Sequence, residues 1–156
     1  GDTGGFAPSG GDRSPGPVYT GSCAGMTAVD YKSDSNYDAS TVSASFVSVP
    51  NATFALNQGA PGCAIVSFTT EAFAPANRVI LIRARLDGAT NAAPGIVQLN
   101  GDDDEDGDGR WGRTHGFTFV FPSVSAGAHS LTIEYRSGND GRRVFIGKHT
   151  TVVQHP

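Results

Sequence analysis

The sequence predicts an all-β protein: an antiparallel β-sandwich of seven or eight strands, jelly-roll or immunoglobulin-like, with an extended N-terminal arm. Three observations carry that expectation. Downstream of Thr41 apolar residues recur at every second position, the spacing that buries one face of a strand. Turn-forming clusters such as Asp87-Gly88 and Ser137-Gly138-Asn139-Asp140-Gly141 interrupt these blocks, about every ten residues, as in sandwiches and barrels. No stretch places its apolar residues at helical spacing. A chain of this kind buries its apolar faces by packing one sheet on another. Jelly-roll and immunoglobulin-like sandwiches share the pattern, so both topologies stand.

The strands follow in order after a long non-strand opening. Residues 1–25 hold eight glycines and three prolines and read as a flexible arm or linker. Residues 26–156 then form a single domain, within the size of one ordinary core. Residues 26–40 read as ordered loop with at most a short strand. Thr41–Val49 (TVSASFVSV) is a strand rich in β-branched residues that Pro50 is expected to stop. Phe54–Leu56 is a short strand. Cys63–Thr70 places Ala64, Val66 and Phe68 on one face, and Arg78–Leu86 turns Ile80, Ile82, Ala84 and Leu86 inward with Arg83 and Arg85 outward. Ile96–Leu99 is brief.

Gly116–Phe121 stacks Phe117, Phe119 and Phe121 on one side. Ala128–Arg136 alternates most cleanly, with His129, Leu131, Ile133 and Tyr135 sharing a face. The cluster from Ser137 to Gly141 reads as a hairpin loop, and Arg143–Val153 as the returning strand. The stretch FTFVFPSVSAGAHSLTIEYRS, within residues 116–137, resembles the penultimate hairpin of secreted bacterial β-sandwich modules, in which a Gly-His-containing turn precedes an alternating strand. The resemblance implies the fold and carries no catalytic motif.

Charge is concentrated in one place. The net charge is −4, yet Asp102, Asp103, Asp104, Glu105, Asp106 and Asp108 supply six of the fifteen acids. In the register Asp102-x-Asp104-x-Asp106-Gly107 this run matches the start of a calcium loop, where alternate carboxylates converge on a hard cation and glycine permits the turn. Asp108 falls where a backbone carbonyl ligand belongs. The helix-loop-helix pattern then fails, because Arg113 stands where a bidentate glutamate is required. Calcium held by Asp102, Asp104, Asp106 and Asp108 is the expectation, with Asp87, Asp140 or Glu134 as further donors. The alternative is a solvated acidic tip, opposed by mutual repulsion of the carboxylates.

Other chemistry finds little support. Gly21-Ser22-Cys23-Ala24-Gly25 has nucleophile-elbow spacing but lies in the Gly/Pro-rich arm rather than between a strand and a helix. Cys23 and Cys63 instead suggest one disulfide formed in an oxidising compartment. His115, His129, His149 and His155 lack zinc-site spacing, and His129 reads as a satisfied strand-end histidine. Only three glutamates are present, with no sign of a catalytic pair. An enzyme is not expected. The arginines are scattered, so nucleic acid is not expected as a partner; nor is membrane insertion. Asn51-Ala52-Thr53 is a sequon.

Two functions follow. The first is an extracellular or cell-surface structural and adhesive subunit, mature after loss of a leader. It would assemble into a homo-oligomer or filament as its arm adds to a neighbour's sheet edge. The second is a calcium-dependent carbohydrate-binding module of a larger secreted protein, with Trp111, Tyr31 and Tyr37 as stacking platforms for glycan.

Overall fold

The computed structural model describes residues 15–74, 78–99, 113–138 and 141–156. Residues 15–27 carry no strand and are mostly exposed. Then come β1 (Ala28–Asp34), β2 (Ala39–Thr41), β3 (Val47–Gln58), β4 (Gly62–Phe73) and β5 (Ile80–Leu86). The short β6 (Thr90–Asn91) and β7 (Val97–Gln98) precede the long β8 (Arg113–Val124), β9 (Gly127–Ser137) and β10 (Val144–His155). Seven of these segments are seven residues or longer, in line with the expected number, and the short β2, β6 and β7 fill in the margins.

The strands form two antiparallel five-stranded sheets. The first runs β1-β10-β4-β8, with β2 beside β1 on β10; the second runs β3-β9-β5-β6, with β7 also on β5. From β3 onward every long strand lies in the sheet opposite its predecessor. That alternation follows a jelly roll and departs from the immunoglobulin arrangement, where strands F and G share a sheet. It also corrects two expectations. Ser137 to Gly141 do not close a hairpin, since β9 and β10 lie in different sheets, and β8 and β9, also in different sheets, do not form the hairpin that the resemblance implies. The Asp87-Gly88 turn is a true hairpin: Leu86 pairs with Thr90, and both turn residues have positive φ, 53° and 67°.

The inner faces interlock into one core. Phe68, Phe119, Phe121, Ile80, Ile82, Leu131, Ile133 and Tyr135 are each at least 98% buried. Burying a side chain of that size stabilises by about 1.5–3 kcal/mol relative to exposure. Phe117 shares their face but is 39% exposed, so the expected aromatic stack fades at that end of β8.

Two irregularities shape the site described below. In β10 the register moves from Ile146 opposite Ala72 to His149 opposite Thr70, so Gly147 and Lys148 together face Glu71. One extra residue inverts the alternation: Val144 and Ile146 point inward before it, His149, Thr151 and Val153 after it. In β3 the register jumps between Ser48 and Thr53, with Asn51 at φ 59°. Cys23 and Cys63 form the expected disulfide, with 5.5 Å between their Cα atoms, and so tie the arm to the start of β4. Close by on the flank, Tyr19 of the arm, Leu86, Asn91 and Phe121 help line a groove of about 510 Å³.

Candidate functional site

The outer face of the first sheet is built from cross-strand rows. Residues directly opposite in antiparallel strands share a face. Tyr31 pairs with Val152, Val152 with Ser67 and Ser67 with Thr118. The next row is Ser33, Thr150, Thr69 and Gly116. Beyond it stand Lys148 at the bulge, Glu71 and Thr114. The hydroxyls bond within rows: Ser33 Oγ lies 2.8 Å from Thr150 Oγ1, and Ser67 Oγ 3.4 Å from Thr118 Oγ1. Every one of these side chains is exposed or half-exposed. Gly116 keeps its row low, since a Cβ there would lie 3.2 Å from Thr69 Oγ1.

An aromatic ring stands at each end of this polar floor. Tyr31 on β1 is 72% exposed. Tyr37, in the loop between β1 and β2, is 46% exposed and lies across the bulge against Gly147. Its hydroxyl donates to Glu71, and that carboxylate pushes the phenol above the usual tyrosine range. Lys148 Nζ sits 5.5 Å from the centre of the Tyr37 ring. The two tyrosines belong to rows about five strand residues apart, roughly 15 Å at the rise of a β-strand. A cleft of about 310 Å³ opens at the Tyr37 end, lined by Ser33, Asp34, Thr70, Glu71, Lys148 and His149 among others.

Beneath that end lies an inward-facing polar row. Asp34 pairs with His149, His149 with Thr70 and Thr70 with His115. Asp34 is buried, and both its oxygens are occupied. Oδ1 accepts from the Asn36 backbone N–H (2.8 Å) and side-chain amide (2.7 Å), and Oδ2 from the Asn51 amide (2.7 Å). The Asn51 bond foremost, then the Asn36 N–H, holds its carboxyl below the usual range. His149 is also buried, with Nε2 3.6 Å from Asp34 Oδ2 and its ring 5.7 Å from that of Phe68. Burial holds this imidazole below the ordinary histidine value, against the weaker pulls of Asp34 and the Pro50 carbonyl.

A second His–Asp pair serves the far end of the sandwich. Asp87 Oδ2 lies 2.6 Å from His129 Nδ1, and Asp87 Oδ1 accepts from the Ser130 N–H. His129 Nε2 is 2.8 Å from the Ser125 carbonyl and 3.2 Å from Ser125 Oγ. The set resembles a Ser-His-Asp triad, but the chemistry differs. Asp87 first, then the Ser125 carbonyl, raises the His129 pKa, so Nε2 donates a proton to a backbone oxygen instead of taking one from Ser125. It is a clamp between two turns, and His129 is the satisfied strand-end histidine expected from the sequence.

The remaining candidates fall as follows. Tyr31 and Tyr37 are brought onto one face. Asp102, Asp104, Asp106, Asp108, Trp111 and Asp140 lie outside the described residues. Their flanks are placed: the Leu99 N–H bonds Ile80 O, and Arg113 pairs with Ala72. Asp87 has both oxygens engaged, by His129 and by the Ser130 N–H. Glu134 is paired with Arg83 at 2.7 Å on the second sheet. Among the described residues no group of three or more His, Cys, Asp or Glu is arranged to hold a metal ion. Sequence reasoning missed Glu71, Lys148, Gly147 and the hydroxyl rows. The signal was present in β4 as Ser67 and Thr69 two positions apart, but Thr150 and Thr118 join them only through strand register.

The molecule is thus an antiparallel two-sheet β-sandwich with a disulfide. No protein-family model and no curated protein matches the chain. Among solved structures it is similar to the C-terminal CBM6 of LamC, a marine laminarinase from Zobellia galactanivorans. The identity is 14% and the TM-score 0.44, over 80% of this chain and 98% of that one. A likeness at that level carries no functional argument.

Proposed function

We propose that the chain is a non-catalytic, extracellular carbohydrate-binding module whose binding surface is the outer face of the first sheet. One observation carries the reading: two exposed tyrosines bound a flat floor of Ser and Thr hydroxyls, with Glu71 and Lys148 at one end. Sugar rings present apolar C–H faces and hydroxyl edges. Aromatic faces suit the first, and paired donors and acceptors suit the second. The disulfide supports an oxidising compartment. In this reading residues 1–25 are the arm that leads into a single domain, residues 26–156, and calcium at Asp102, Asp104, Asp106 and Asp108 steadies the adjoining loop.

An array of neutral and acidic oligosaccharides, probed with calcium and with EDTA, tests the reading. Binding to a glycan class, lost in Tyr31→Ala and Tyr37→Ala, is the expected result. No binding by the folded protein in either condition overturns it. Loss of binding in EDTA supports the calcium part, and equal binding removes it.

The sequence put an assembling structural subunit first, and the hydroxyl face moves it to second. What favours it is the arm, where Val18 is 86% and Tyr19 60% exposed beside the Cys23 tether. Light scattering on the full chain and on a variant lacking residues 1–22 separates the readings. A large particle that the deletion reduces to folded monomer supports assembly, and a monomer in both removes it.

A further inference from the structure

We propose that Gly147 and Asp34 are positioning residues for the binding face: together they fix where the Tyr37 ring stands. The proposal rests on the carbohydrate-binding reading and names what sets the geometry of that site. Gly147 acts from below. It lies in the β10 bulge opposite Glu71, and a Cβ added there would fall 3.0 and 3.1 Å from two atoms of the Tyr37 ring and 3.2 Å from Glu71 Cβ. Those distances are inside ordinary van der Waals contact, so even alanine displaces the ring or the carboxylate that holds it.

Asp34 acts from the side. It ends β1 and gathers the next loop by accepting both the backbone and side-chain N–H of Asn36, the residue before Tyr37. Its other oxygen takes the Asn51 amide from the β3 bulge, so the loop is tied to both sheets. The third support is Glu71, which accepts the Tyr37 hydroxyl. Three strands therefore converge on one exposed ring that has no apolar core of its own. The small residue at 147 and the buried carboxylate at 34 are needed for that convergence, whereas a surface loop otherwise tolerates change at such positions.

The test uses the full chain with isotope-labelled tyrosine, in Gly147→Ala, Asp34→Asn and the exchanged pair Asp34→Asn with Asn51→Asp. The Tyr37 phenol is titrated by NMR, and binding is read on the same oligosaccharide array. In the unaltered chain the phenol titrates above the ordinary tyrosine range. In Gly147→Ala it returns toward that range, and array affinity falls about tenfold, the scale of one misplaced aromatic contact. Asp34→Asn does the same, because one amide oxygen replaces the two carboxylate oxygens that accept from Asn36 and Asn51. The exchanged pair restores a donor and an acceptor and recovers both readouts. Unchanged titration and binding in Gly147→Ala and Asp34→Asn overturns the proposal. Should Asp34→Asn not fold, Gly147→Ala decides alone. If the unaltered chain binds nothing on the array, the carbohydrate reading falls, while the phenol titration still decides whether these residues position Tyr37.

Discussion

His129 and His149 stand under opposite pressures, and each sets its own dependence of stability on pH. The His129 pKa is raised by Asp87 and the Ser125 carbonyl. Its contribution is therefore complete below about 6.5, the ordinary histidine value, and is lost as pH rises through the higher folded value. Asp87, whose pKa is lowered, contributes above the ordinary aspartate range and loses that contribution in acid. The stability gap between the unaltered chain and His129→Ala is predicted to shrink from about pH 5 to about pH 9. Thermal melts across that range check it, and a constant gap contradicts it. His149 runs the other way, since its pKa is lowered by burial. Its neutral form costs nothing above about 6.5, and the penalty of charging it grows as pH falls below that. His149→Gln is predicted to flatten the acid side of the stability profile in urea titrations; an unchanged acid limb speaks against it. In the core, Phe68 is fully buried, and Phe68→Ala is expected to cost about 3–5 kcal/mol of unfolding free energy by denaturant titration.

Among the elements, the strands that the sequence revealed are those with one wet and one dry face. β9 was legible because Leu131, Ile133 and Tyr135 alternate with Thr132, Glu134 and Arg136 across a sheet with solvent on one side. β1 was nearly invisible. It is an edge strand whose Val29, Asp30, Tyr31, Lys32 and Ser33 are all exposed, so no alternation marks it. Pro50 was expected to end a strand, yet β3 runs through it to Gln58. Proline lacks only a donor, and on an edge strand at a bulge the ladder does not need that donor. The crossings that follow β8 and β9 looked like hairpin loops, because turn chemistry records that a chain reverses and not which sheet it enters. Both tyrosines of the site were picked out from the sequence as stacking platforms, together with Trp111. The floor between them was not, because Ser33, Thr150 and Thr69 are remote in sequence and meet only through register. The tether from Cys23 to Cys63 was legible from cysteine count alone. Its 40-residue separation implies a loss of about 4 kcal/mol in Cys23→Ser with Cys63→Ser, from the chain-entropy model. Urea unfolding of that variant checks the figure, and a loss below about 1 kcal/mol would mean that the arm region is already ordered without it.

At the scale of the whole molecule, the sandwich keeps its packed interior apart from the proposed binding face. Its interior is filled by large apolar side chains in both sheets, so the outer face of the first sheet is free of any duty to the core. That freedom permits a floor of small hydroxyl side chains, which contribute little to stability and offer many donors and acceptors. Double substitution of Ser67 and Thr118 by alanine is accordingly predicted to leave the melting temperature nearly unchanged while weakening glycan binding. A large drop in melting temperature would assign those side chains to folding instead. Chemical-shift mapping by NMR, during titration with an oligosaccharide that binds on the array, locates the bound glycan. The perturbed amides are expected to cluster on β1, β10, β4 and β8 around Tyr31, Ser33, Thr69, Glu71 and Lys148, with a binding site on the outer face of the first sheet. Perturbations confined to the second sheet, or to the flank beside Tyr19, would contradict it.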